Sequence, residues 1–268
     1  MTAQQPLSRR SFLKGVVLSA NALLFGGLSR AGKGPFVNPF GSTSAEECAA
    51  PASQDSVAYP NWFDSGPRES NKIALTIDDF WSAANANRAL DIAETFAIPL
   101  TIFPIGKAIK YSKDLQAFLR RALCSPVKVL IGYHTQTHPF LTRLSNAQID
   151  WEFVQNRRSL DEALGFPYAV QLVRPPYGDG GYRGRVNGRI LAKFNEMGLS
   201  ETMWSINFSS NSSYITKPRR VRGGDIILMH TTNRDIRTHM QGIVDYLKNS
   251  RGFEFVTVAD LFATDAKV

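Results

Sequence analysis

The chain has 268 residues, of which 43% are hydrophobic and 20% charged, and its formal net charge is +8 at pH 7. This length and composition exclude a chain too small or too polar to bury a core. They allow one α/β domain or two smaller domains. We prefer a single domain.

The N-terminal segment carries the pattern Ser8-Arg9-Arg10-Ser11-Phe12-Leu13-Lys14, followed by a moderately apolar stretch from Gly15 to Leu28. This stretch is too short and too polar for a transmembrane helix. Residues 1–31 resemble a twin-arginine export signal. The resemblance implies passage through the twin-arginine translocation machinery to the periplasm or cell envelope, with secretion or anchoring by an uncleaved signal as alternatives. Cleavage could follow Ala31 or Ala45, because each ends a small-x-Ala site.

The signal accounts for much of the positive charge. It contains four of the 31 basic residues and none of the 23 acidic ones. Residues 32–268 therefore have 27 basic and 23 acidic residues, a formal net charge of +4. The remaining basic residues form two clusters, at Arg183, Arg185 and Arg189 and at Lys217, Arg219, Arg220 and Arg222. These are either solvated loop charges or contacts with an anionic polymer such as a cell-wall polysaccharide. Nothing in the sequence indicates nucleic-acid binding.

The two cysteines, Cys48 and Cys124, lack the spacing of a zinc site. We expect two free thiols, although export would permit a disulfide between them.

Residues 32–71 are rich in Gly, Pro, Ser and Ala and are predicted to form a linker or N-terminal arm. Residues 72–268 are predicted to form the folded domain. Short apolar runs predict strands at 73–77, 98–103, 127–131, 168–173, 201–206, 226–229 and 253–258. Helical patterns lie between them at 83–96, 114–123, 145–164, 185–197 and 237–248. Ser145 and Gln148 form a candidate capping box, and Gly165 is a candidate helix stop.

Alternating strands and helices predict a parallel sheet, either an open doubly wound sheet or a barrel. Reactive side chains follow the predicted strands, at Asp78 and Asp79, His134, Arg174, Asn207 and His230. In a barrel, the carboxyl ends of all strands ring one face, so these groups could meet there. We therefore predict a single incomplete (β/α)7-type barrel with the active site at the carboxyl ends of the strands.

His134 and His138 are spaced as on one helical face, but His138 precedes Pro139, which disfavours helix. We therefore place the pair on a loop after a strand. Two imidazoles and one carboxylate suit Zn²⁺ or a similar divalent ion, with Co²⁺, Ni²⁺ and Mn²⁺ as alternatives. Asp79 is the candidate carboxylate ligand, and Asp78 beside it would then be free to act as a base.

Four segments resemble, in order and at similar intervals, motifs of the polysaccharide deacetylases of carbohydrate esterase family 4, also called the NodB homology domain. They are Thr76 to Asp79, His134 to Pro139, Arg174 to Gly178 and Ile227 to His230. The resemblance covers roughly residues 72–262. It implies a metal-dependent hydrolase that removes acetyl groups from a polysaccharide.

The resemblance also implies a role for each matched residue. Asp79, His134 and His138 would bind the metal, and Asp78 would be the general base. Arg174 would hold Asp78 by a charge-assisted hydrogen bond. The backbone N–H of Tyr177 would stabilise the oxyanion, and His230 would protonate the leaving amine.

The chain departs from the family pattern in two places. Phe80 and Trp81 replace the glycine that ends the first motif, so that segment is either a repacked loop or an aromatic wall against the sugar. The segment from Trp204 to Asn211 lacks the family's acidic residue. Without that anion we expect a lower pKa for His230 than in relatives that keep it, with Asn207 or Ser210 as substitute partners. Candidate substrate contacts are Trp81, Pro176, Trp204 and Asn207.

The expected reaction is N-deacetylation of an N-acetylglucosamine-containing polymer. Two alternatives remain open: a carbohydrate O-acetyl esterase on the same site, which would need less help from His230, and a glycan-binding relative without turnover.

Overall fold

The computed structural model describes residues 57–209 and 217–263. Its strands are β1 (Trp62–Phe63), β2 (Lys72–Asp79), β3 (Leu100–Pro104), β4 (Val129–Ile131), β5 (Leu172–Val173), β6 (Ser200–Thr202), β7 (Ile206–Asn207), β8 (Ile226–His230) and β9 (Glu254–Val256). Its α-helices are α1 (Ala83–Thr95), α2 (Gly106–Tyr111), α3 (Lys113–Leu123), α4 (Asn146–Leu164), α5 (Gly188–Glu196), α6 (Gln241–Asp245) and α7 (Val258–Phe262). The predicted export signal lies outside the described residues.

The strands form two parallel sheets that are connected at two seams. One sheet has the order β4-β3-β2-β8-β7, with β9 pairing the start of β2, and the other has the order β1-β6-β5. A parallel bridge between Tyr133 and Val173 joins them at one seam, and an antiparallel bridge between Ser65 and Asp225 joins them at the other. The sheets do not close into one continuous ladder, which confirms the predicted incomplete barrel.

Local sequence accounts for the elements that are long enough to show a pattern. Strand β2 lies at the centre, and its interior is buried on both faces, as its largely apolar run indicates. Helix α4 begins with the predicted capping box of Ser145 and Gln148, and Gly165 ends it in the left-handed conformation at φ 87°. These caps confirm the predicted bounds of the longest α-helix in the described residues.

Short elements differ from the prediction. The run at 201–206 forms two strands, β6 and β7, and the run at 168–173 forms only the two residues of β5. The predicted arm also contributes to the domain, since β1 pairs with β6 and Phe63 is buried. The Phe63 ring packs against Phe262 at 4.6 Å and Tyr59 at 5.9 Å. A strand of two residues is too short to show a periodic pattern in the sequence. Whether it forms depends on packing against residues that are distant in the chain.

The helix after β8 begins earlier than predicted and is not regular. Residues Asn233–Met240 and Tyr246–Ser250 form wide π-helical turns on either side of α6. Such turns are rare and often lie near functional sites. Their start brings Asp235 back beneath the end of β8, with consequences for His230.

Cys124 is disulfide-bonded, so the expectation of free thiols is wrong for this residue; Cys48 lies outside the described residues. Within the described part of the chain, no helix combines the length and apolar character needed to cross a membrane.

Candidate active site

The carboxyl ends of the central strands bring together two carboxylates and three histidines. Asp78 and Asp79 end β2, and His230 ends β8 directly beside Asp78 in the strand register. His134 and His138 lie on the loop after β4, as predicted. Residues far apart in the chain therefore meet at one face of the barrel.

Asp79, His134 and His138 form a set that fits a divalent metal ion. Each offers one ligand atom, and these atoms lie within 4.8 Å of one another. Asp79 Oδ1 is 3.4 Å from His134 Nε2 and 3.2 Å from His138 Nε2. This oxygen is buried and has no hydrogen-bond donor among the described residues. An orphaned buried carboxylate oxygen between two imidazole nitrogens fits a cation such as Zn²⁺.

The protonation pattern also suits a ligand set. His134 Nδ1 lies 2.7 Å from the carbonyl oxygen of Arg174 and donates to it, so Nε2 is the ring nitrogen that faces Asp79. Burial tends to raise the pKa of Asp79, but His134 and His138 outweigh it and hold that pKa well below its ordinary value. The carboxylate is therefore ionised at neutral pH.

Helix α4 fixes the loop that carries both histidines. Glu152 Oε2 accepts hydrogen bonds from the N–H groups of Gln136 and Thr137, each at 2.8 Å. Asn156 Oδ1 accepts from the N–H of His134 at 3.1 Å. The sequence analysis did not identify Glu152 or Asn156. Both are polar residues on the inward face of an amphipathic helix, and this pattern could have identified them.

Backbone strain is concentrated at this site. Asp79, Thr135, His138 and Tyr177 have φ values of 75°, 66°, 65° and 62°, in a region that side-chain-bearing residues rarely occupy. Strain of this kind persists where surrounding structure enforces it, commonly at active sites. The loops therefore hold these residues in orientations that an unconstrained chain would avoid.

Arg174 is wholly buried and holds Asp78, as the resemblance implied. Its Nη1 donates to Asp78 Oδ1 at 2.8 Å and to Thr76 Oγ1 at 2.7 Å. The other nitrogens, Nε and Nη2, donate to the carbonyl oxygens of Thr202 and Met203. Asp78 Oδ2 is left facing the ligand set, 4.0 Å from His134 Nε2. One oxygen is thus anchored while the other can take up a proton.

His230 has a carboxylate partner that sequence analysis missed. Its Nδ1 lies 2.7 Å from Ser209 Oγ, and the Ser209 hydroxyl donates a short hydrogen bond to Asp235. Asp235 Oδ2 also accepts from the His230 N–H at 2.8 Å and lies 3.8 Å from Nδ1. The acid absent from the fourth-motif segment is therefore supplied from the start of the following helix. Its sequence signal was an aspartate five residues after His230.

The expected lack of an anion beside His230 is corrected by this arrangement. Burial acts to lower the pKa, but the hydrogen bonding and charge of Asp235, together with the charges of Asp78 and Asp79, outweigh burial and raise it above its usual value. Asn207 Oδ1 accepts from the N–H of Ser209, the residue whose hydroxyl contacts His230 Nδ1. Ser210 lies outside the described residues.

Aromatic rings border the face that carries these groups. Tyr177 stacks on Phe140 at 4.1 Å and meets His138 edge-on at 4.6 Å, and it is 57% exposed. Trp81 is 56% exposed, whereas Phe80 turns inward and stacks on Phe118. The structure therefore favours repacking for Phe80 and leaves Trp81 as a candidate sugar contact.

The other predicted substrate contacts are less accessible. Pro176 is buried, which fits a role in shaping the loop that carries Tyr177. Trp204 is partly buried, with its ring 5.3 Å from Tyr182 and 5.7 Å from the Arg174 guanidinium. Asn207 lies on β7, at the edge of the site.

A family model described as "Polysaccharide deacetylase" matches residues 65–202, which is more than half of the chain. The chain belongs to the polysaccharide deacetylase family. This finding confirms the predicted family, and the match includes Asp78, Asp79, His134, His138 and Arg174. Metal dependence is characteristic of family 4 deacetylases, and the three clustered ligands of this deacetylase agree with it.

Relatives of this deacetylase share about a quarter of its residues. A peptidoglycan-N-acetylglucosamine deacetylase of Bacillus cereus is 26% identical over 75% of this chain and 71% of its own. The structure of a family 4 carbohydrate esterase from Bacillus anthracis is 26% identical, with a TM-score of 0.60, over 75% of this chain and 86% of the other. A family 4 pseudoenzyme from Bacillus anthracis has a TM-score of 0.63 at 20% identity, over 77% and 70%. This last similarity shows the fold alone.

Proposed function

We propose that this deacetylase removes N-acetyl groups from an N-acetylglucosamine-containing polysaccharide. The observation that carries the proposal is that three groups meet at one face of the barrel. They are a carboxylate base held by an arginine, a set of three metal-ligand residues, and a histidine supported by a buried carboxylate. The Bacillus cereus relative, named for deacetylation of peptidoglycan N-acetylglucosamine, supports the choice of sugar.

In the proposed reaction, Asp78 Oδ2 takes a proton from the attacking water while Arg174 holds Oδ1 and keeps the carboxylate oriented. The backbone N–H of Tyr177 stabilises the oxyanion. His230 then donates a proton to the departing amine, which leaves poorly as an anion. Ser209 and Asp235 orient the imidazole ring for this step and favour its protonated form.

We propose that Asp79, His134 and His138 hold a divalent ion, with Zn²⁺ first and Co²⁺, Ni²⁺ or Mn²⁺ as alternatives. Such an ion supplies Lewis-acid polarisation and lowers the pKa of water from about 15.7 to about 7.

Removing the metal should abolish deacetylation. Treatment with a strong chelator is expected to reduce acetate release from N-acetylglucosamine oligosaccharides to background, and one of the four ions should restore it. Acetate release and metal content by mass spectrometry measure this. Full activity in chelated, metal-free protein would contradict the proposal. Binding of the same oligosaccharides without acetate release under any metal would instead favour the glycan-binding alternative.

The O-acetyl esterase alternative rested on a weakly supported His230. Since Ser209 and Asp235 support this histidine, the site is equipped for an amine leaving group. N-acetyl and O-acetyl forms of the same oligosaccharide, assayed side by side, discriminate the two reactions.

We also propose export through the twin-arginine translocation machinery to the periplasm or cell envelope, on the strength of the pattern from Ser8 to Lys14. Replacing both Arg9 and Arg10 by lysine should retain the protein inside a bacterial host, as cell fractionation would reveal. Replacing Arg30 and Lys33, which lie outside the pattern, is the matched control. Unchanged export of the Arg9/Arg10 variant would contradict this route.

A further inference from the structure

A cavity of about 350 Å³ lies beside two residues that neighbour the active site. Trp204 and Asn207 line it, and both also contact the active site. The Trp204 ring lies 5.7 Å from the Arg174 guanidinium that holds Asp78, and Asn207 Oδ1 accepts from the N–H of Ser209, the partner of His230. Two residues that line the cavity therefore lie next to the residues that support Asp78 and His230. Its volume falls in the range of ligand pockets, about 300–1,000 Å³.

The two basic clusters of the sequence meet at this cavity. Arg183 comes from the first cluster, and Lys217 and Arg220 come from the second. Arg68 also lines the cavity, but Asp225 neutralises it at 2.5 Å. Asp64 is the carboxylate among the lining residues described. Segments separated by more than thirty residues thus contribute positive charge to one concave surface.

Cations outnumber carboxylates among the described residues that line this cavity. Neither Arg183 nor Arg220 forms an ion pair within residues 57–209 and 217–263. Burial and the nearby charge of Arg220 lower the pKa of Lys217, so the cations repel one another at this surface. An anion placed among them would relieve that repulsion.

The wall of the cavity also offers aromatic surface. The rings of Tyr182 and Trp204 lie 5.3 Å apart, and Tyr182 is 39% exposed. The Arg183 guanidinium lies 5.1 Å from the Tyr182 ring centre, and Arg183 has a left-handed φ of 55°. A strained backbone thus places this cation beside an exposed ring. Aromatic rings suit the apolar face of a pyranose, and guanidinium groups suit a carboxylate.

We propose that this cavity binds a carboxylate-bearing sugar residue that neighbours the N-acetylglucosamine to be deacetylated. This proposal rests on the proposed function, because the position of the acidic sugar is defined relative to the residue that is deacetylated. It predicts that acidic polysaccharides are preferred over neutral ones as substrates. The carboxylate lies between Arg183 and Arg220, and the sugar ring packs on Tyr182 and Trp204. A lactyl ether on muramic acid and a uronic acid both present this chemistry.

Binding of three tetrasaccharides of equal length tests the proposal. One is neutral N-acetylglucosamine tetrasaccharide, one alternates N-acetylglucosamine with N-acetylmuramic acid, and one alternates it with glucuronic acid. Calorimetry at low salt uses Asp78→Asn protein to slow turnover. At least one acidic tetrasaccharide is expected to bind about tenfold more tightly than the neutral one. The tighter of the two acidic ligands identifies the source of the carboxylate.

In the Asp78→Asn protein, the double substitution Arg183→Ser and Arg220→Ser should remove the preference for acidic ligands. The matched control, Arg185→Ser with Arg219→Ser, makes the same charge change on exposed residues outside this cavity and should retain it. Equal affinity for all three tetrasaccharides, or equal loss in the control, would overturn the proposal. In Asp78-containing protein, a lack of acetate release from every ligand with the binding preference intact would instead sink the proposed function alone.

Discussion

Replacing Asp78 with asparagine is expected to lower kcat for deacetylation by about 10³-fold, within the 10²–10⁴-fold contribution of general acid–base catalysis. The amide keeps the size of the side chain and can accept a hydrogen bond from Arg174, but it cannot take a proton from water. KM should change little, since Asp78 is buried beneath the site. Acetate release under saturating substrate measures the effect.

Asp79→Asn is the matched control because it alters the neighbouring carboxylate. It should lose bound metal, whereas Asp78→Asn should keep it, as measured by mass spectrometry. Thermal unfolding of both variants checks the fold, because Asp78→Asn leaves the buried Arg174 cation without its carboxylate. If Asp78→Asn were folded, loaded with metal and fully active, Asp78 would not be the base.

Replacing Asp235 with asparagine is expected to lower kcat on N-acetyl substrates by tenfold or more. This is part of the rate enhancement of about 10²–10⁴-fold that general acid–base catalysis contributes. Asp235 helps to raise the pKa of His230, so its loss should lower that pKa. A general acid must be protonated, and activity therefore falls as pH rises through this pKa. The alkaline limb of the pH–rate profile should shift to lower pH in Asp235→Asn.

Ser209→Ala should shift the same limb in the same direction, because the hydroxyl connects His230 Nδ1 to Asp235. Asp245→Asn, on the same helical segment, is the control and should leave the profile unchanged. Both active-site variants should lose less activity on O-acetyl esters, whose alcohol leaves more readily than an amine. A kcat decrease with an unmoved pH profile would assign Asp235 a structural role only.

Motif spacing and strand-end placement were enough to predict the fold class and the grouping of the main side chains. Asp78 and Asp79 end a strand, and His134 and His138 follow one. Parallel strands present their carboxyl ends at one face. The long helix α4 could be bounded from its caps because capping is a local interaction. By contrast, β1 and β5 have two residues each and were missed or overextended.

The amino-acid sequence by itself determined the family, the incomplete barrel and the candidate base, ligand set, arginine and acid, because these follow from short motifs and local periodicity. Only the tertiary structure decided how His230 is supported, through Ser209 and Asp235. It also decided that Arg183 and Arg220 face one cavity. These contacts join segments without a fixed spacing, and they form only when the loops and π-helical turns pack against the barrel.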